Sequence, residues 1–400
     1  MSETPILMIP GPTEFPWRII RAMMRPSVAH YDPKFNLDVL DETCKGLQRV
    51  FQTANQVIVL PGSGRVGVES AIISIVEPGD RVLAVVGGIF GRWMMEIAQR
   101  VGADVTEFAV EWGKAIDMSK LDTVLAAGNY KAVLAVHNES STGAMYPVRE
   151  IGELVRRYGA LYVVDAVSSL GGANLETDEW GIDLVATASQ KCFCVPAGLA
   201  MVSISDRAWK AMEARQKPAV SFSLDLLKWK RMWIAKENGG LEVFGYRRQP
   251  FSMPVYLVYA LQEGVAMILE EGLQERFKRH LVAAEAVRAG LQEIGLELYV
   301  DASVVSPTLT AVRNPPGIVD AQVRRIMETQ YGISITGGLE QQAGKAMRIG
   351  HMGMTAAAQY VLPTMVALEN ALAEVGYQFE YGRGVDAARR VFARHRQVAP

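Results

Sequence analysis

Val57-Ile58-Val59-Leu60-Pro61-Gly62-Ser63-Gly64-Arg65-Val66-Gly67 passes from four apolar residues through a glycine-rich turn into a helical pattern. An apolar run without polar alternation predicts a strand buried on both faces, and such strands belong to parallel sheets covered by helices. The signature returns at Val82 to Val86, Ala132 to Val136, Leu161 to Val164, Leu184 to Ala186 and Leu199 to Ile204, with longer helical stretches between. Strands alternating with helices specify an α/β domain with a mainly parallel sheet flanked by helices.

Beyond Pro254 the pattern changes. Val255 to Leu273 and Glu275 to Ile294 read as long amphipathic helices, followed by strand-like Leu298-Tyr299-Val300 and Thr308 to Val312, a helix over Asp320 to Gln330, and a last helix over Ala356 to Val375. The expected division is an N-terminal arm over 1–20, a large domain over 21–255 and a smaller C-terminal α+β domain over 256–400. Neither an internal repeat nor a low-complexity segment interrupts it.

With 400 residues, half of them apolar, the chain is long enough for large cores and for more than one domain. Its 43 acidic and 41 basic residues nearly cancel, which leaves no electrostatic footprint for nucleic acid or an anionic membrane; small molecules are the expected partners. Cys44, Cys192 and Cys194 form no disulfide framework, and the five histidines show no ligand spacing, so a reducing compartment and no metal site are expected. The apolar run Ile6 to Ile9 is too short for a signal or membrane segment, and Val398-Ala399-Pro400 is no peroxisomal address. A cytoplasmic protein is expected.

Ligand chemistry in parallel sheets gathers at the carboxyl ends of strands. Gly62-x-Gly64-x-x-Gly67 matches the dinucleotide fingerprint in spacing, but that motif also needs an acid after the next strand to hold a ribose hydroxyl. Here the next strand runs into Gly87-Gly88-Ile89-Phe90, and Asp80 lies before it, at the wrong end. This disfavours the rival reading, a nicotinamide-dependent oxidoreductase. The loop can instead cradle one phosphate with backbone N–H groups, a serine hydroxyl and a helix N-terminus, although by itself it is as readily a tight turn without a ligand.

Asp165 directly ends the apolar strand Leu161 to Val164, where a buried charge needs a cationic partner. Lys191 follows the strand Leu184 to Ala188, and desolvation there would lower its pKa and make its amine a nucleophile; a snorkelling surface lysine is the bland alternative. A phosphate cradle, a carboxylate for a pyridinium nitrogen, an amine for an aldehyde and Phe90 to stack on a ring complement one molecule, pyridoxal 5′-phosphate (PLP).

The ordered stretches Pro10-Gly11-Pro12, Val50-Phe51-Gln52-Thr53, Gly62-Ser63-Gly64, Glu77-Pro78-Gly79-Asp80, Glu139-Ser140-Ser141-Thr142-Gly143, Asp165-x-Val167-x-Ser169-Leu170-Gly171-Gly172, Ser189-Gln190-Lys191 and Arg348-Ile349-Gly350 resemble the alanine–glyoxylate and serine–glyoxylate (serine–pyruvate) aminotransferases of class V, fold-type I. The resemblance implies Lys191 as the residue that carries PLP and Asp165 as partner of its ring nitrogen. It implies Ser63, Gly64, Arg65 and Gln190 at the phosphate, Phe90 and Val167 on the two ring faces, Ser140 at the phenolic side, and Arg348 at the substrate carboxylate. It also implies a homodimer with shared sites, in which a Tyr-x-x-Thr element reaches the neighbour's phosphate. Here that stretch reads Gln249-Pro250-Phe251-Ser252, so Ser252 can replace the threonine hydroxyl but Gln249 cannot replace the tyrosine.

The implied reaction moves an amino group from a small L-amino acid, alanine or serine, to glyoxylate or pyruvate by a ping-pong mechanism. Tyr31-Asp32-Pro33-x-Phe35, Ser306-Pro307-Thr308 and Arg348 to Gly353 also look like pyridoxamine–pyruvate aminotransferases. Arg65-Val66-Gly67-Val68-Glu69 and Glu111-Trp112-Gly113 are similar to ureidoglycine–glyoxylate aminotransferases. Substrate choice therefore stays open at this level. No cysteine follows Cys194, which speaks against a cysteine desulfurase of the same fold.

Overall fold

The computed structural model describes residues 5–234 and 248–396. The terminal Val398-Ala399-Pro400 and the first four residues of the expected arm lie outside them. The expected runs become strands of one seven-stranded sheet in the order Gln56–Pro61, Leu199–Ile204, Leu184–Ala188, Leu161–Asp165, Ala132–Val136, Arg81–Val86, Asp104–Ala109. Only Leu199–Ile204 runs against its neighbours, and the other pairings are parallel. The sheet is thus mainly parallel and flanked by helices, in agreement with the apolar runs. The edge strand Asp104–Ala109 was not expected: all its positions are half-buried or exposed, so it carries no continuous apolar run.

The expected helices appear as Val255–Glu271, Leu273–Glu293, Asp320–Tyr331 and Ala358–Glu374, and a further helix spans Arg383–Arg396. Leu298-Tyr299-Val300 is not a strand. It contributes one isolated bridge, Leu298 to Val312, and a hydrogen bond from Tyr299 N to Ala311 O of 2.9 Å. The neighbouring three-stranded antiparallel sheet is ordered Leu309–Arg313, Ala346–Gly350, Thr336–Gly337.

Two hydrophobic cores result. The larger surrounds the seven-stranded sheet and includes Val258, Leu261, Val265 and Ile268, so the helix Val255–Glu271 packs with the large unit although the expected division at 255/256 assigned it to the small one. The second gathers Ala283, Val287, Leu291, Met347, Ile349, Val361 and Leu368. The arm belongs to both: Met8 is buried in the second core and Ile19 in the first. Ile6–Leu7 pairs in parallel with Ile333–Ser334, and Gly350 N donates to Met8 O at 2.9 Å.

Candidate active site

The carboxyl ends of the parallel strands open onto a cavity of about 320 Å³. Nine expected residues, Ser63, Gly64, Arg65, Phe90, Ser140, Asp165, Val167, Gln190 and Lys191, line it together. Their sequence separation is large, but each sits at a strand end or in the first helical turn after one, which is where this topology brings chain segments together.

At one end the helix Gly64–Ile75 begins without a cap. Ser63 holds the N-cap position in extended conformation, and its side chain makes no capping bond. Among the described residues no acceptor meets the N–H groups of Gly64 and Arg65, so a first turn with positive dipole is left open to an anion. A side chain at 64 would fall 2.7 Å from Val167 Cγ2 and 2.9 Å from Ala188 Cβ, which is why the approach requires glycine. The Arg65 guanidinium lies 3.6 Å over the ring of Trp93, and Phe90 meets Trp93 edge to face at 5.0 Å.

Asp165 is buried, yet its carboxylate receives one protein hydrogen bond, from Val167 N at 2.8 Å, and none of the ion pairs among the described residues includes it. Burial pushes its carboxyl up to about 7, against the opposing pull of Lys191 and Arg65. The cation that the sequence demanded is therefore not supplied as a protein contact. Lys191 is the converse case: burial lowers its amine to about 8, and its Nζ donates to the carbonyl of Pro10. The arm holds this lysine closely. Thr13 Oγ1 donates to Lys191 O at 2.9 Å, Thr13 N to Gln190 O at 3.0 Å, and a side chain at Gly11 would lie 2.5 Å from Lys191 Cδ.

Arg348, on the middle strand of the small sheet, is 5 % exposed and has no carboxylate partner among the described residues. Its Nη1 donates to Ser140 O at 2.8 Å and its Nε to Gly337 O at 2.9 Å. Burial lowers the guanidinium to about 10, with Glu139 opposing. Arg348 thus stands behind Ser140 and is not itself among the residues that line the cavity. Ser252, by contrast, is exposed and does not line the cavity. Gln249 is buried and donates its amide to Asn36 Oδ1.

Residues that the sequence did not single out complete the wall: Trp93, Met94 and Ile97 from the helix Ile89–Val101, with Val68, Val136, Asn138 and Ser168. Trp93 and Ile97 follow Phe90 by about one and two turns, so helical spacing from Phe90 was the available signal. An uncapped helix N-terminus, a buried carboxylate lacking a cation and a desolvated lysine amine fit the phosphate, ring nitrogen and aldehyde of PLP.

A family model described as Aminotransferase class-V matches residues 22–358. The (S)-ureidoglycine–glyoxylate transaminase of Bacillus subtilis is 35% identical over 405 residues, covering 96% of this chain and 95% of that protein. The crystal structure of ureidoglycine–glyoxylate aminotransferase from Bacillus subtilis superimposes with a TM-score of 0.91 at 35% identity, covering 98% of this chain and 99% of that chain. The alanine–glyoxylate aminotransferase of Callithrix jacchus is 35% identical over 371 residues, covering 92% of this chain and 88% of that protein. The pyridoxamine–pyruvate transaminase of Mesorhizobium japonicum is 31% identical over 392 residues, covering 98% of this chain and 97% of that protein.

Proposed function

The chain belongs to the class-V aminotransferase family of PLP-dependent enzymes, and we propose that it moves an amino group from a small L-amino acid, alanine or serine, to glyoxylate or pyruvate. One observation carries this reading: around Lys191 stand a buried anion without a cation, Asp165, and a buried cation without an anion, Arg348. Each charge costs several kcal/mol to bury alone, and a cofactor with a pyridinium together with a substrate carboxylate neutralises both.

PLP, when bound, supplies an aldehyde carbon for the amino group and a ring that draws electrons from the substrate's α-carbon. Lys191 holds that aldehyde through Nζ. With its proton affinity lowered by burial, the same nitrogen would accept the proton from the substrate's α-carbon and hold it at Nζ. Asp165 keeps the ring nitrogen protonated by charge. Ser63, the N–H groups of Gly64 and Arg65, and Gln190 would hold the phosphate, Phe90 and Val167 would enclose the ring, and Ser140 would meet its phenolic side, all of them residues that line the cavity. Arg348 takes the α-carboxylate that donor and acceptor share, so the two half-reactions use one clamp in turn and the kinetics are ping-pong.

Trp17 and Tyr256 are exposed on two helices that pack together, and Met24 is exposed just past the end of the first, which supports the homodimer; Ser252 would reach the neighbour's phosphate in it. No described helix is long and apolar enough to cross a membrane; the three free, buried cysteines support a reducing compartment, the cytoplasm. Borohydride reduction followed by peptide mapping tests the cofactor assignment: the reduced cofactor is expected on Lys191, and its recovery on another lysine overturns it. A screen of L-alanine, L-serine, ureidoglycine and pyridoxamine against glyoxylate and pyruvate tests the substrates. A marked preference for either of the last two donors overturns the alanine or serine assignment.

A further inference from the structure

Glu139 is fully buried, and all its acceptor positions are taken. Oε2 accepts from the backbone N–H of Phe90 and of Gly91, each at 3.1 Å. Oε1 accepts from Ser141 N at 3.1 Å and from Ser141 Oγ at 2.5 Å, and that hydroxyl in turn accepts from Ile89 N at 3.1 Å. One carboxylate therefore satisfies orphan donors in the first turn of the helix Ile89–Val101, the helix that carries Phe90, Trp93, Met94 and Ile97 into the cavity. The fit is closed to other side chains at Gly88, where a Cβ would lie 2.4 Å from Glu139 Cδ.

The other end of the same residue leads to the substrate side. Ser140 follows directly, lines the cavity and gives its carbonyl to Arg348 Nη1 at 2.8 Å. Burial raises the proton affinity of Glu139, and the hydrogen bonds from Ser141, Gly91 and Phe90 oppose this by favouring its charged form.

Building on the aminotransferase reading above, we infer that Glu139 is a positioning residue that fixes the cofactor-stacking residue Phe90 and the substrate clamp Arg348 relative to each other. It touches neither ligand. It sets the helix end that aims the ring of Phe90, and the turn whose carbonyl orients the guanidinium of Arg348.

Glu139→Gln tests this because it keeps size and removes charge. An amide can still accept from Phe90 and Gly91, but it then turns an N–H against the N–H of Ser141. Four quantities are measured on the full-length protein: thermal midpoint, PLP dissociation constant, visible circular dichroism per bound PLP, and KM for amino acid and keto acid at saturating PLP. The expected result is a dissociation constant about tenfold weaker and a visible band changed by about half, with both KM values raised about fivefold or more. Phe90→Ala is expected to weaken PLP binding, because it removes the stacking ring that Glu139 aims. A lower thermal midpoint with parental dissociation constant, band and KM overturns the inference and leaves Glu139 a structural group. If Glu139→Gln yields no soluble protein, Ser141→Ala decides, since it removes one of the four donors. A changed band and raised KM then support the inference, and parental values overturn it. Borohydride labelling of Lys191 in the same preparations separates the cases, because its failure removes the cofactor assignment itself, whereas its success with unmoved readouts removes only the role of Glu139.

Discussion

Two buried carboxylates lie at the ends of neighbouring parallel strands, Asp165 closing Leu161–Asp165 and Glu139 just beyond Ala132–Val136, and their surroundings are opposites. Glu139 has four protein donors, whereas Asp165 has one. The chain has thus solvated one anion with its own backbone and left the other to be solvated by something that binds. A satisfied buried charge organises structure; an unsatisfied one beside an open cavity marks where chemistry enters.

The largest effect expected on the unsatisfied side comes from Lys191→Ala. Without the amine the protein should fold normally, lose the covalent cofactor and lose turnover by more than about 10⁴-fold, because attachment and proton carrier vanish together. Borohydride labelling and steady-state rates check this. Asp165→Asn keeps shape and removes charge, so turnover measured at full PLP occupancy should fall by about 100-fold or more, equivalent to about 2.7 kcal/mol of lost transition-state stabilisation. Near-parental turnover there would erase the contrast between the two carboxylates.

Arg348→Lys comes next. An ammonium cannot form the paired contact of a guanidinium, so KM should rise about tenfold for donor and acceptor alike, nearly as much as in Arg348→Ala. A rise confined to one substrate would show that the two half-reactions use different clamps.

The smallest effect is one of stability in the cofactor-free protein. The folded-state pKa of Asp165 is raised to about 7, so between its unfolded value of 3.8 and about 7 the native state binds more protons than the unfolded one, and stability falls as pH rises through that window. Asp165→Asn lacks this penalty. Its thermal midpoint should match the parent's near pH 4 and exceed it increasingly toward pH 8, and the gap should close when PLP is added. A constant gap at all pH values would mean that Asp165 is better compensated than its single donor indicates.

The same contrast explains what could be read from the sequence. Asp165 was legible because it directly ends an apolar strand, and Lys191 because it closes the short turn after one, each a local conflict visible in a few consecutive residues. Glu139 lies as far beyond its apolar strand as Lys191 does, but its role was not legible: its partners Phe90 and Gly91 precede it by 49 and 48 residues, and only the fold reveals that they meet. The central strands were legible because both faces are buried, while Asp104–Ala109 escaped as a half-exposed edge. The division at 255/256 followed a change of periodicity. Packing does not obey that change, since the helix Val255–Glu271 is amphipathic toward the first core.

The arm's approach to the lysine makes position 11 a genetic bottleneck. Gly11 has φ +94 and no room for a methyl group beside Lys191, so any single-nucleotide change that gives it a side chain puts that atom where the reacting amine must lie. An allele of that kind would leave both hydrophobic cores untouched and silence the enzyme from a segment 180 residues away in the chain, at a site that a catalogue of active-site substitutions would pass over.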